Sequence, residues 1–186
     1  SYLITKAKEA IVVDPGFNGE AIIAYLEEKG IIVKYVLLTH GHFDHIKDTE
    51  LIYNKYDCHI WAHKADLKYL YDPSFNYSKA FNISFSFPDT MPVQSEMDNH
   101  SIFLLGERFE VIETPGHTPG SVLFKHNNWL FTGDTIFHDS IGRTDLPGGS
   151  FNAMRRTLNA LKTSISNQAM IYPGHGESGL FKNIST

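Results

Sequence analysis

The segment Thr39-His40-Gly41-His42-Phe43-Asp44-His45 constrains this chain more than any other, because it sets four metal-competent side chains within six positions directly after the apolar run IIVKYVLL (31–38). A run of that length and β-branched content reads as a buried strand. A lone histidine is usually a surface or satisfied core residue, but H-x-H-x-D-H at a strand exit has no packing rationale and points to metal. Strand alternation predicts that His40, His42 and Asp44 project to one side. His45 reaches the same site only if the backbone turns there into a following helix.

The pattern recurs at three other strand ends: TPGHTPGS places His117 in a loop, FTGDT places Asp134, and YPGHG places His175. Glycine beside each of them permits a tight turn and close backbone approach. Together with His40, His42, Asp44 and His45 they make five imidazoles and two carboxylates, enough for two divalent metal ions. Nitrogen and oxygen donors without thiolate suit zinc first, with iron or manganese also compatible, and argue against a closed, cysteine-rich structural zinc site. Seven ligands shared by two ions leave room for a bridging water, whose pKa such ions bring to about 7.

Around these motifs, periodicity predicts a strand at EAIVVD (9–14), a helix at EAIIAYLEEK (20–29) capped by Asn18 and closed by Gly30, the strand 31–38, a helix at 46–57 and a strand at 58–63. Residues 64–99 hold Pro73, Pro88, Pro92 and many aromatics without clean period, and read as irregular structure over a pocket or closing the core. From residue 101 the short runs SIFLLG, ERFEVIETPG, SVLFKHN and WLFTGDTIF suggest an antiparallel meander. Gly148-Gly149-Ser150 then opens a helix at 151–165, followed by a last strand in AMIYPGHG. Two β-rich halves that each carry helices predict an α/β fold, a four-layer α/β/β/α sandwich. The length, 186 residues, fits one domain over 1–186.

The formal charge of −5 and the absence of a Lys/Arg run make nucleic acid an unfavoured partner. No apolar stretch approaches the ~20 residues of a membrane helix, and SYLITKAKEAIVVD lacks the order of a signal peptide. With one cysteine, Cys58, the expectation is a soluble, cytoplasmic protein acting on a small molecule; its oligomeric state is open. Cys58 reads as a small buried residue, and His59 and His63 as packing or pocket-lining groups. LPGGS lacks the lysine of a phosphate-binding loop, and Ser140 with the nearby His138 is too little for a serine nucleophile.

THGHFDH, TPGHTPGS, GDT and PGHG, in this order and over nearly the whole chain, resemble the metallo-β-lactamase fold superfamily. The resemblance implies that His40, His42 and His117 hold one ion, that Asp44, His45 and His175 hold the other, and that Asp134 bridges them. Within the superfamily, GDTIFHDSIGRTDLPGGS resembles the glyoxalase II-like (hydroxyacylglutathione hydrolase-like) branch. That implies hydrolysis of a thioester by a metal-bridging hydroxide, with Asp44 as the catalytic carboxylate that orients it and thiolate as a leaving group needing no strong acid. The C-terminal helical region that helps full-length glyoxalase II to bind glutathione has no counterpart in FKNIST, which leaves the thiol open. Persulfide dioxygenases share a similar GRTD segment, so a mononuclear iron persulfide dioxygenase is the alternative, as is a hydrolase of another ester or lactone; a non-catalytic binding module is the reading from a different class. Arg143 is the candidate substrate-binding residue, able to grip a carboxylate by two hydrogen bonds, or equally to pair with Asp145.

Overall fold

The computed structural model describes residues 1–95 and 100–181. Its first sheet opens with an antiparallel hairpin, β1 (Tyr2–Lys6) and β2 (Glu9–Val13), with Tyr2 opposite Val13. Helix α1 (Gly19–Lys29) crosses back to β3 (Ile32–Leu38), which lies parallel to β2. The chain turns through α2 (Phe43–Ile46) and α3 (Thr49–Tyr56) into β4 (His59–Ala62), parallel to β3. After α4 (Leu67–Tyr71) a two-residue strand, β5 (Val93–Gln94), completes the order β1-β2-β3-β4-β5.

The second sheet is the predicted meander, β6 (Ser101–Leu104), β7 (Glu107–Glu113), β8 (Val122–His126) and β9 (Trp129–Gly133), each antiparallel to the next. Helix α5 (Phe151–Ser164) then carries the chain over to β10 (Met170–Pro173), parallel to β9, and β11 (Gly179–Leu180) closes that edge.

Period-two alternation explains why the sheets stack. In β2, Ile11 and Val13 turn inward with Leu37 and Trp61 to meet Phe109, Val111, Val122, Phe124 and Phe131 of the other sheet. Their neighbours Ala10 and Val12 turn outward with Val36 and Leu38, against Leu26 of α1 and Ile52 of α3. On the far side Leu123, Leu130 and Ile171 face Met154, Leu158 and Leu161 of α5, which recur at helical spacing on one stripe. The result is the four-layer α/β/β/α sandwich, held by three apolar layers in which each fully buried aliphatic or aromatic side chain contributes about 1.5–3 kcal/mol. Among the described residues no helix is long and apolar enough to cross a membrane.

Several expectations need correction. Asn18 holds the N-cap position of α1, but its side chain makes no capping bond; the Asp48 carboxylate accepts from the Gly19 amide at 2.9 Å instead. The single helix expected over 46–57 is broken, because the Asp48 N–H donates to the carbonyls of Pro15 and Gly16 rather than to a helical partner. Strand WLFTGDTIF ends at Gly133, and the Asp134 turn begins there. Residues 64–95 are more regular than expected, with a 3-10 turn at 64–66, α4, another 3-10 turn at 78–81 and β5; residues 96–99 of that expected segment lie outside the described residues. β1 was hidden because its hairpin turns on Ala7 in the left-handed region (φ 53°), a position that glycine or asparagine usually marks.

Candidate metal centre

Strands β2 and β3 of the first sheet and β7, β9 and β10 of the second bring their C-terminal ends to one edge of the sandwich, and the predicted residues gather there. After β3 the chain bends at Thr39–His40 and is extended at His42, and alternation stops at Phe43, where α2 begins. Asp44 and His45 are therefore presented by the first turn of a helix. His117 comes from the β7–β8 loop, Asp134 from the turn after β9, and His175 from the loop after β10.

Two groups of three result. Donor atoms of His40, His42 and His117 lie within 4.8 Å of one another, and so do those of Asp44, His45 and His175. His42 Nδ1 faces His117 Nε2 at 2.8 Å; His175 Nε2 stands 3.1 Å from Asp44 Oδ2 and 3.4 Å from His45 Nε2. Asp134 sits between the groups, with Oδ2 at 3.6 Å from His117 Nε2 and 3.5 Å from His175 Nε2, and Oδ1 at 3.3 Å from His45 Nε2. The inner trio is buried, whereas Asp44 is partly exposed and His175 is exposed.

These residues fit divalent cations on two observations. His40 Nε2, His42 Nε2 and Asp134 Oδ1 are buried with no hydrogen-bond partner, a state that folded interiors leave only where something else satisfies the atom. The rings are also oriented from behind: His117 Nδ1 donates to the Arg143 carbonyl at 2.8 Å, and His45 Nδ1 meets Asp14 Oδ2 at 2.9 Å, so each turns Nε2 into the site.

Protonation follows burial and neighbours. Burial, reinforced by the adjoining imidazoles, pushes His40 well below the ordinary histidine range and His42 down to about 3, so both are neutral, ligand-competent rings. Burial lowers His117 in the same direction. It would also lower His45, but the neighbouring carboxylates of Asp134 and Asp14 raise it to about 10; the carboxylates of Asp134 and Asp44 raise His175 to about 9. Asp134 and Asp44 are resisted by burial yet held below the usual carboxylate range by those same histidines.

Two carboxylates that the motifs did not mark hold the centre in place. Asp14, in the left-handed region (φ 49°) at the end of β2, accepts from the Thr39 amide at 2.7 Å and the Thr39 hydroxyl at 2.6 Å besides meeting His45. It lies near His40 and His45 donor atoms, but with both oxygens engaged it positions ligands rather than competing as one. Asp66 accepts from the amides of Gly41 and Gly120 and from the Thr118 hydroxyl, at 2.9, 2.7 and 2.6 Å, tying the His40–His42 segment to the His117 loop. Asp14 ends a buried strand just before Pro-Gly, the same context as the ligands; Asp66 carries no such local signal.

The centre opens into a cavity of about 430 Å³, whose lining includes Asp44, His117, Asp134, Tyr77, Phe137 and Arg143. A larger hollow of about 660 Å³ between α1 and α3 contains none of the seven ligands. Arg143 lines the cavity, and its Nε and Nη2 donate to the two oxygens of Asp145 at 2.8 and 2.7 Å, the pairing that was one of its two sequence readings. His59 stacks on Tyr35, and His63 meets Glu113 at 3.2 Å; neither lines this cavity. His138 pairs with Asp139, and burial pushes the Cys58 thiol up to about 11.

A four-layer sandwich carrying a histidine–aspartate cluster at one edge defines a metal-dependent hydrolase. The sequence pattern of the metallo-beta-lactamase superfamily matches residues 1–175, and the chain belongs to that superfamily. Hydroxyacylglutathione hydrolase GloC of Haemophilus influenzae is 32% identical over 174 residues, covering 91% of this chain and 81% of that protein. The crystal structure of the BLEG-1 B3 metallo-beta-lactamase superposes with a TM-score of 0.89 at 30% identity, covering 96% of this chain and 87% of that one. TTHA1623 in a di-iron-bound form gives 0.83 at 31% identity, with 96% and 88% covered.

Proposed function

We propose that this chain hydrolyses an acyl thioester of the S-acylglutathione type at a two-ion centre. The observation that carries the reading is the pair of three-residue ligand groups meeting at Asp134 on the floor of one cavity. His40, His42 and His117 would hold one ion, Asp44, His45 and His175 the other, and Asp134 both; zinc is the first candidate, and the di-iron form of TTHA1623 supports iron as the second. When bound, the ions supply Lewis acidity and a water acidic enough to be deprotonated near neutral pH.

The chain's own residues do the rest. Asp44 turns a carboxylate toward the cavity and is kept ionised by His175, so it can accept a hydrogen bond from the attacking water and fix its direction. The water oxygen, having lost one proton to solvent, bonds to the carbonyl carbon; the C–S bond breaks, sulfur leaves with the electron pair as thiolate, and the acid formed releases the remaining proton to solvent as carboxylate. Tyr77, Phe81, Phe137, Ile141 and Leu146 supply the apolar part of the cavity lining. The relative named hydroxyacylglutathione hydrolase supports the thioester class, and a single unreactive thiol at Cys58 is consistent with a reducing, cytoplasmic setting and a small-molecule partner.

Metal analysis of protein purified without chelator, together with hydrolysis of thioester, ester, lactone and persulfide panels, tests the reading. Two ions per chain and thioester turnover that chelation abolishes are expected, and Asp44→Asn should lower kcat by about a hundredfold or more while the Tm stays near that of the parent. Oxygen uptake on persulfide with one iron per chain would replace this reading, and parental turnover in metal-loaded Asp44→Asn would remove Asp44 from it.

A further inference from the structure

The cavity has two unlike halves. One is the metal-ligand wall; the other is Tyr77, Phe81, Phe137, Ile141 and Leu146, with Phe81 63% exposed at the rim. Exposed aromatics beside a cavity are costly in water unless something covers them. Among the described residues that line it, Arg143 carries the one permanent positive charge, and two hydrogen bonds already commit it to Asp145. Its guanidinium also lies 5.9 Å from the Tyr77 ring centroid, which holds the group against the wall rather than in the opening.

A substrate carboxylate arriving here would have to displace Asp145 and would leave that carboxylate beside it. The Arg143–Asp145 pair sums to zero, so an anionic distal group gains no net attraction from it while losing its hydration. An apolar group loses nothing of the kind and covers the aromatic wall. Thiols that carry acyl groups are long and charged, whereas the apolar wall of this cavity of about 430 Å³ suits an acyl arm.

Resting on the thioesterase reading, we propose that this cavity selects an uncharged, apolar acyl group, and that the Arg143–Asp145 pair, with Phe81, sets that preference by denying a free cation to acidic acyl groups. Tyr77 and the pair are specificity determinants; they take no part in bond making.

The test compares glutathione thioesters of acetate, 4-methylpentanoate and succinate, the last two matching in shape and differing in distal charge. Metal-replete protein should favour the 4-methylpentanoyl ester in kcat/KM by about tenfold or more. Asp145→Asn should narrow that ratio at least about fivefold by raising the succinyl value, and Phe81→Ala should lower the 4-methylpentanoyl value several times more than the acetyl value. Calorimetric titration with inert ketone analogues, CH₂ in place of sulfur, should rank Kd in the same order. Equal or better use of succinyl, or a ratio unmoved by Asp145→Asn, overturns the proposal and leaves the thioesterase reading standing. Failure to hydrolyse any of these thioesters overturns both.

Discussion

Asp14 shows how much of the centre depends on a side chain that touches no substrate. It holds His45 by Nδ1 and Thr39 by both amide and hydroxyl, and the Thr39 hydroxyl in turn lies 3.1 Å from His40 Nδ1. Asp14→Asn replaces an acceptor-only group by one that must turn two N–H bonds toward the Thr39 donors or the His45 ring. The expected outcome is about a 10–100-fold loss of metal affinity, read by competition with a chromophoric chelator, with a smaller fall in stability of about 1–3 kcal/mol by urea titration. Gly174 is a second such point: a Cβ there would run into Asp134 Oδ1 and the His45 ring, so no other residue allows the PGHG loop to approach. The seven candidate ligands were legible because five of them stand beside a glycine and the other two, Asp44 and His45, follow within the same short run. Asp66 was not, because its three partners come from segments 25 to 54 residues away.

Helices were legible where burial follows one stripe and obscure where a tertiary bond overrides the pattern. Helix α5 is the clear case: Ser150 caps it by accepting from the Ala153 amide, and Met154, Thr157, Leu158 and Leu161 form the buried face. It also reaches the centre, since Thr157 Oγ1 donates to the Pro115 carbonyl and the Ser150 amide to that of Gly116, immediately before His117. Leu158→Ala should cost about 2–5 kcal/mol by opening a cavity under the second sheet, measured as a lower Tm, while metal stoichiometry at 20 °C stays at its parental value. The break at Asp48 is the opposite case. Nothing in IKDTELIYNKYD announces that its amide would serve carbonyls of the first turn after β2, and that break is what frees Asp44 and His45 to face the centre. The two-residue strands β5 and β11 are too short for any period to show.

At the scale of the whole molecule, the sandwich was legible because both sheets alternate inward and outward so regularly, while the edge hairpin and the pairing order were not written locally. The concentration of titratable groups at one edge gives the metal-free protein a pH optimum. His45 and His175 have folded pKa values raised to about 10 and about 9; their contribution is complete below about 6.5 and fades as pH rises through those values. His40, His42 and His117 are shifted the other way, so the unfolded chain takes up more protons and stability falls as pH drops below about 6.5. The Tm of chelator-treated protein should therefore peak near about pH 6.5 and fall on either side of it, and saturating metal should raise and flatten the profile above neutrality.

The unequal shelter of the two ligand groups has a kinetic corollary. The trio of imidazoles lies beneath the surface, whereas His175 swings from a rim loop with water on one side, so a cation captured by the outer group is a lodger and one captured by the inner group a tenant. Isotope exchange should resolve two populations of label, one lost within the mixing time of a weak scavenger and one retained until the chain itself loosens.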